Sequence, residues 1–342
     1  MTYRIAINGY GRIGRCVLRA FYESTSYSDM RLVAVNDLAD IANLSHLTRY
    51  DSTHGRFLGS VEMSSEAAQK NLIVNGDKIR VFNERDVRKL PWSELEVDLV
   101  MECSGAFKDR ETAQLHTAGG ASKVLFSQPA ESDVDATLVY GINHETLPPS
   151  ATIVSNASCT TNCIVPVLKT IDEVFKIESG VITTIHSAMN DQPVIDSYHD
   201  DDLRKTRSAM QSIIPVDTAL AKGIERILPE LTGRLVARAI RVPTLNVSLM
   251  DLTLSVAEST NIEQVNQAIK QASANLPANV LGFTDEPLAS CDFNHDPRSA
   301  IVDLNQTSVV NGKLIKLFVW FDNEWAYANR MLDVAQYMSI NT

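Results

Sequence analysis

The chain has no uninterrupted apolar run near the ~20 residues that cross a bilayer, which argues against a helical membrane span. Positive charge is in deficit. Lys and Arg number 31 against 42 Asp and Glu, a net charge of −11. Such a balance argues against nucleic acid or an anionic membrane as the main partner, though not against a local basic pocket. Cysteines are few, odd in number and scattered (Cys16, Cys103, Cys159, Cys163, Cys291). That pattern builds no disulfide framework and points to a reduced, cytoplasmic setting. Cys159 and Cys163 are spaced to share a helix face, but no further ligand is close in sequence, so no metal is expected. There is no internal repeat, low-complexity stretch or flexible interdomain linker. Met1-Thr2-Tyr3-Arg4-Ile5 runs straight into a strand pattern without a signal-peptide layout. At 342 residues and 44% hydrophobic content, the chain is long enough for two domains with their own cores.

The first half has the pattern of a dinucleotide module. Tyr3 to Asn8 forms a short buried strand, Gly9-Tyr10-Gly11-Arg12-Ile13-Gly14 follows, and Arg15 to Tyr22 has helical spacing. This is G-x-G-x-x-G in a strand-turn-helix context. Gly9 permits the tight turn, Gly11 lets the backbone approach a pyrophosphate, and Gly14 lets helix and strand pack closely. A second strand, Leu32 to Asn36, ends at Asp37, about 20 residues on, where an acid reads the ribose 2′-hydroxyl. A carboxylate there repels a 2′-phosphate, which favours NAD over NADP. Leu72 to Val81 is expected to be a hairpin around Asn75-Gly76-Asp77. Val97–Cys103, Lys123–Ser127, Thr137–Tyr140 and Thr152–Val154 continue the strands, with helical character from Arg110 to Ala118. The alternation predicts a Rossmann-type, doubly wound α/β domain with a mostly parallel sheet over residues 1–158. Ligands bind such sheets outside the carboxyl ends of the strands, where Asp37, Ser104-Gly105, Ser127 and Cys159 all fall.

The segment Ser155-Asn156-Ala157-Ser158-Cys159-Thr160-Thr161-Asn162 joins an extended apolar run to a helix-like run. Ser158 is a good N-cap, which puts Cys159 in the first helical turn. Free N–H groups and the positive dipole end there favour a thiolate. Bringing a cysteine from ~8.5 to ~6 takes about 3 kcal/mol of anion stabilisation, which a helix terminus and one imidazole can supply. The bland alternative is a small buried thiol at a strand-to-helix junction. His186 closes a strand running from Ser179 and is the best-placed base for Cys159. A polar segment from about Asp191 to Gln211 has the length of a functional loop. Strands over 235–242, 245–256 and 313–321, with a helix over 262–274, predict an α+β catalytic domain. Its sheet is expected to be mostly antiparallel, over residues 159–322. Arg241 is a lone charge in an apolar strand, and either binds an anion or lies on the exposed face.

With cysteine, histidine and glycine fingerprint in hand, the chain resembles the glyceraldehyde-3-phosphate dehydrogenase superfamily over essentially its whole length. The motifs that carry the resemblance are INGYGRIGR (7–15), SNASCTTN (155–162), TTIHS (183–187), RVPT (241–244) and DNEW (322–325). The resemblance implies that Cys159 is the nucleophile and His186 the base. It assigns Asn323 to the nicotinamide carboxamide, and Gly11, Arg12, Ile13 and Asp37 to the dinucleotide. Gly9, Gly14, Arg80, Ser104, Gly105 and Ser127 complete the candidate cofactor set. Ser158, Thr160, Asp191, Lys205, Thr218 and Arg241 fall where that family binds phosphates. It further implies a homotetramer, and a C-terminal helix (323–342) packing back on the first domain.

Several positions depart from the family pattern. After the strand the family usually has H-A-Y-T-N-D-Q, where this chain has His186-Ser187-Ala188-Met189-Asn190-Asp191-Gln192. The family's P-T-x-T-G is here Pro215-Val216-Asp217-Thr218-Ala219. Lys205 replaces an arginine in an LRRAR-like run, which removes a bidentate fork. These changes look like the erythrose-4-phosphate dehydrogenase branch. So do Gln211–Thr218 and Asp292–Pro297. The implied reaction is NAD-dependent oxidation of a small phosphorylated sugar aldehyde through a Cys159 thioester that water releases, in supply of pyridoxal 5′-phosphate synthesis. A phosphorylating glyceraldehyde-3-phosphate dehydrogenase and a non-catalytic NAD-binding regulator are the alternatives.

Overall fold

The computed structural model describes residues 2–66 and 69–341. The chain divides into two compact units, residues 1–158 with 327–342, and residues 159–326.

The first unit starts with β1 (Tyr3–Asn8), α1 (Arg12–Glu23), β2 (Met30–Asn36) and α2 (Ile41–Arg49). A two-stranded ribbon, β3 (Tyr50–Asp51) and β4 (Gly55–Arg56), follows. Then come β5 (Val61–Glu66), β6 (Gln69–Val74), β7 (Asp77–Phe82), β8 (Leu99–Glu102), α3 (Arg110–Ala118), β9 (Lys123–Phe126), β10 (Ala136–Thr137) and β11 (Ile153–Ser155). Among the described residues, nine strands form one sheet in the order β10-β11-β9-β8-β1-β2-β7-β6-β5. It is parallel from β10 to β7 and turns antiparallel at the β7-β6-β5 edge. This is the doubly wound sheet expected of the first half. The chain leaves β1 for β2 on one side and reaches β8 on the other, so a crevice opens at their carboxyl ends. β1 and β8 are almost wholly buried, which explains their continuous apolar runs. Asn75 and Gly76 both have positive φ (50° and 93°) and close the β6–β7 hairpin. The strand expected over Thr137–Tyr140 stops at Thr137. Its N–H and C=O groups turn instead to Asn143, whose side chain holds Val139 N and Thr137 O.

The chain re-enters this unit at Tyr327, within α7 (Trp325–Ile340). Tyr27 donates to Asp333 at 3.0 Å, Gln336 donates to Ser26 O at 2.8 Å, and Tyr327 donates to Ala157 O at 2.8 Å. The last contact braces a turn that needs support, because Ala157 has φ +53°.

The second unit holds α4 (Cys159–Phe175), β12 (Ile177–His186), β13 (Ile214–Val216), α5 (Leu220–Ile227), β14 (Leu235–Arg241), β15 (Ser248–Val256) and α6 (Ile262–Asn275). β16 (Leu281–Thr284), β17 (Ala300–Asp303), β18 (Ser308–Val310) and β19 (Leu314–Phe321) complete it. The sheet order is β13-β14-β12-β15-β19-β17-β16, with β18 on β19. Only β12–β14 and β16–β17 run parallel, so the sheet is mostly antiparallel, as expected. β15 and β19 alternate buried and part-exposed residues along their length, the mark of a sheet with one face on a core. α4 lies on that unit's core through Ile164, Val165, Leu168 and Ile171, all fully buried. Each such side chain contributes about 1.5–3 kcal/mol on leaving water. The polar stretch 191–211 forms no regular element beyond one short turn, Leu203–Thr206, as its composition suggested.

Candidate functional site

The crevice of the first unit measures ≈ 420 Å³ and is lined at the strand ends by Asn8, Gly9, Gly11, Asn36, Asp37 and Ser104. Two glycines are required by close approach. A Cβ on Gly9, which has φ +91°, would sit 2.4 Å from Ser104 Cα. One on Gly14 would sit 2.2 Å from Gly9 O. Gly11 differs, because a Cβ there meets nothing within 4 Å. The space beside it is the open end of α1, where a pyrophosphate has room. Asp37 is tied to the glycine turn: it accepts Tyr10 N at 2.7 Å and Ala39 N at 2.9 Å. That fixes the carboxylate at the mouth of the crevice.

Beneath the crevice lies a buried carboxylate that sequence inspection passed over. Glu102 accepts Asn8 Nδ2 at 2.6 Å and Ser104 N at 2.8 Å, and is 2.9 Å from His116 Nε2. Trp92 Nε1 donates to His116 Nδ1 at 3.1 Å, so Nε2 carries the ring proton and donates to Glu102. Asn36 in turn donates to Asn8 Oδ1 at 2.7 Å. The network sets the height of three crevice residues at once. Its only sequence signal was polar residues ending otherwise apolar strands.

Other candidates stand further from this space. Arg12 forms a bidentate pair with Asp51, which drives that carboxyl far below its usual range despite burial. Arg80 lies over the ring of Phe82, 5.2 Å from its centroid, and it is Glu84 and Arg85 that line the crevice from this edge. Ile13, Gly105 (φ +75°) and Ser127 are also outside the lining, and Ser127 hydrogen-bonds the Cys103 thiol. Burial pushes that thiol up to about 12.

In the second unit, Cys159 is the first residue of α4 and His186 the last of β12. Their Sγ and Nε2 atoms lie 3.9 Å apart. The N–H groups of Thr160 and Cys159 point at the sulfur and favour its anion, as does Arg241. Burial outweighs them, assisted by Glu324, and pushes the thiol up to about 11. Burial thus opposes the thiolate expected at this helix end, although Cys159 is only part-buried by exposure. Nor does His186 supply a cation. Burial first, then Arg241, hold it down to about 4, against Asp191 and Glu324. At neutral pH the pair is a thiol and a neutral imidazole. Nδ1 of that ring lies 2.8 Å from Ser187 O and 2.9 Å from Arg241 Nη1.

Asn323, just past β19, is 9% exposed. Its Oδ1 accepts Ser187 Oγ at 3.1 Å and Ser248 Oγ at 2.8 Å. Ser248 Oγ also accepts Ser187 N at 3.1 Å, so its proton is committed to Asn323. The carboxamide is thereby turned so that its Nδ2 donors remain for another partner. Ser187 and Ser248 were not singled out in the sequence. Ser187 had adjacency to His186 as its signal, and Ser248 had none.

Residues 3–110 match the family model described as the NAD binding domain of glyceraldehyde 3-phosphate dehydrogenase. Residues 158–323 match that of the C-terminal domain of the same enzyme. The chain belongs to the glyceraldehyde 3-phosphate dehydrogenase family. It is accordingly an NAD-dependent oxidoreductase by family, and NAD is its cofactor.

The positions where glyceraldehyde 3-phosphate dehydrogenases were expected to hold phosphates are spread over the second unit and the residue before it. Ser158 and Thr160 flank Cys159 in sequence. Lys205 pairs with Asp191 at 2.9 Å, with both side chains partly exposed. Thr218 lies on a separate shallow depression with Asp217, Ala219, Ala221 and Lys222, and its Oγ1 accepts Leu220 N at 3.2 Å. Met189 is 45% exposed, the chain turning there as Met189 N donates to Gln192 Oε1 at 3.1 Å. Arg241 is half-buried beside His186 and hydrogen-bonds no carboxylate among the described residues, though Asp191 acts on it electrostatically.

Proposed function

We propose that this chain oxidises D-erythrose 4-phosphate to 4-phospho-D-erythronate with NAD, through a Cys159 thioester that water hydrolyses. The carrying observation is the charge around the expected second anion site. Lys205, the lysine where the family has an arginine, is already neutralised by Asp191 at 2.9 Å. Asp217 adds a carboxylate next to Thr218. Such surroundings hold a free inorganic phosphate poorly and leave water as the acyl acceptor.

The reaction begins when His186 takes the Cys159 proton as Sγ attacks the aldehyde carbon. The N–H of Cys159 steadies the resulting oxyanion. The glycine turn and Asp37 of the first unit would hold NAD, which would supply the hydride acceptor, and Asn323 Nδ2 of the second unit is the candidate donor for a carboxamide. Loss of hydride from the hemithioacetal carbon leaves an acyl group on Sγ. His186 then assists water in releasing the acid. Arg241, which hydrogen-bonds no carboxylate among the described residues, receives the sugar phosphate.

The same reading extends to a supply role in pyridoxal 5′-phosphate synthesis, a cytoplasmic setting and a homotetramer. Supporting the last, Val194, Ile195, Tyr198 and Leu203 are all more than 70% exposed on the 191–211 segment. No helix among the described residues is long and apolar enough to cross a membrane. The test is kcat/KM for D-erythrose 4-phosphate and glyceraldehyde 3-phosphate, each with and without inorganic phosphate. A higher value for the four-carbon aldehyde, insensitive to phosphate, is expected. Strict phosphate dependence with preference for the three-carbon aldehyde would refute the proposal.

A further inference from the structure

Glu102 ends β8 and is 1% exposed, with no cation among its hydrogen-bond partners in the described residues. Asn8 Nδ2 at 2.6 Å and His116 Nε2 at 2.9 Å serve its Oε2, while Ser104 N at 2.8 Å and the Ser104 hydroxyl serve its Oε1. His116 is neutral in this arrangement, because its Nδ1 accepts Trp92 Nε1–H at 3.1 Å. Three of the four partners can only donate, which is the setting of a carboxylate. The Ser104 hydroxyl, the one group able to do either, then donates as well. No step of the proposed reaction uses this buried charge.

The way these protons are committed limits what the crevice can offer. Ser104 Oγ spends its one proton inward and accepts Ala106 N at 3.2 Å, so it has only a lone pair left for a ligand. Both hydrogens of Asn36 Nδ2 are spent too, on Asn8 Oδ1 at 2.7 Å and Glu84 O at 2.9 Å. Asn8, Asn36, Glu84 and Ser104 all line the crevice. Asp37 adds a carboxylate past the end of β2, while Ser104 follows β8, on the other side of β1. Acceptors therefore face the crevice from both walls. A sugar hydroxyl, which brings a proton, suits them better than a phosphate, which brings only acceptors.

We propose that Glu102 is a positioning residue for the dinucleotide: by drawing the Ser104 hydroxyl proton inward, it makes that wall of the crevice an acceptor for a ribose hydroxyl and a poor seat for a ribose phosphate. Asp37 repels a phosphate by its own charge at the mouth. Glu102 does not line the crevice and acts from the other wall through one hydroxyl. The same carboxylate ties Asn8 on β1 to the turn after β8. Gly9 lies against that turn, where a Cβ would sit 2.4 Å from Ser104 Cα. One buried group thus sets both the height of the Ser104 oxygen beside the glycine turn and its polarity. This inference rests on NAD as the cofactor and on no step of the proposed reaction.

The test is the Kd of the full chain for NAD and for NADP, by fluorescence titration without turnover. Glu102→Gln keeps the size of the side chain but turns one oxygen into a donor. Of the partners only Ser104 Oγ can accept from it, which returns the hydroxyl proton to the crevice. NAD should weaken about 10-fold and NADP should not, so that the preference between them falls about 10-fold. In a Ser104→Ala background the same substitution should change that preference by less than about twofold, because the hydroxyl that carries the effect is gone. Equal weakening of both dinucleotides, or the same change of preference without the hydroxyl, would mean a packing role and overturn the proposal. A second measurement keeps Glu102 in place, in case Glu102→Gln does not fold. It is nitrogen-15 NMR of the chain labelled at histidine, with His116 assigned by its loss in His116→Gln. Nε2 should be the protonated nitrogen, and saturating NAD should shift its signal. A ligand proton on Ser104 Oγ strengthens the bond from Ser104 to Glu102 at the expense of the bond from His116. A His116 signal that NAD leaves unmoved in the parent chain, or moves equally in Ser104→Ala, overturns the proposal.

Discussion

Cys159 should alkylate as a suppressed thiol in the unliganded chain, not as a thiolate waiting at a helix end. Burial holds it up to about 11, and His186, held down to about 4, brings no compensating positive charge. At pH 7 a thiol of that kind is ionised in only ~1 molecule in 10⁴, against a few per cent for a free cysteine near 8.5. The gap corresponds to about 3 kcal/mol of disfavoured anion. The assay is the second-order rate of Cys159 modification by iodoacetamide in the cofactor-free chain, followed from pH 6 to 9 and compared with a small free thiol. Cys159→Ala supplies the background from the other cysteines, of which Cys291 is exposed. The expected profile climbs about tenfold per pH unit with no plateau, and lies roughly 10²-fold below the reference thiol at pH 7. A plateau between pH 5 and 8 at a large fraction of the alkaline rate would mean a preformed thiolate–imidazolium pair. That result would refute the account of both groups together.

Cys159→Ala should abolish aldehyde oxidation while NAD still binds, measured by turnover and by quenching of intrinsic fluorescence; surviving turnover would remove the sulfur from the mechanism. Gly14→Ala places Cβ 2.2 Å from Gly9 O and should cost about 2–3 kcal/mol in denaturant unfolding, within the range for overpacking. Gly11→Ala meets no atom within 4 Å. It should leave unfolding within about 0.5 kcal/mol yet weaken NAD by at least ~10-fold if the pyrophosphate lies there. Equal effects of the two alanines on stability would contradict this placement of the glycine turn. His186 also makes a pH signature. The unfolded ring, near 6.5, binds a proton before the folded ring, near 4, so the unfolded state holds more protons in between. Stability from this group is complete above about 6.5, falls by about 3 kcal/mol as pH drops to 4, and levels off below. His186→Asn should lose that slope, and a parallel pair of stability curves would show that the ring is not buried as a neutral group.

How far the sequence revealed this site depended on the range of the interactions involved. The doubly wound sheet was legible because its causes are local. Gly14 answers to atoms within one strand-turn-helix, and Asp37 lies at the end of the next strand, although the close approach at Gly9 is to Ser104 after β8. Cys159 at the head of α4 and His186 at the end of β12 were legible for the same reason, each marked by where an apolar run stops. What stayed hidden was made by register between distant strands. β12 and β14 pair in parallel with His186 opposite Arg241, which puts a guanidinium on an imidazole 55 positions away. No periodicity in either strand announces that meeting. Yet it reverses the electrostatic expectation for the pair, since the cation that supports a thiolate on Cys159 also opposes an imidazolium on His186. Glu102 teaches the same lesson in the first unit, where Asn8, Ser104 and His116 converge on it from β1, the turn after β8 and α3. A motif can therefore name candidate reacting groups, but their resting protonation belongs to the tertiary structure.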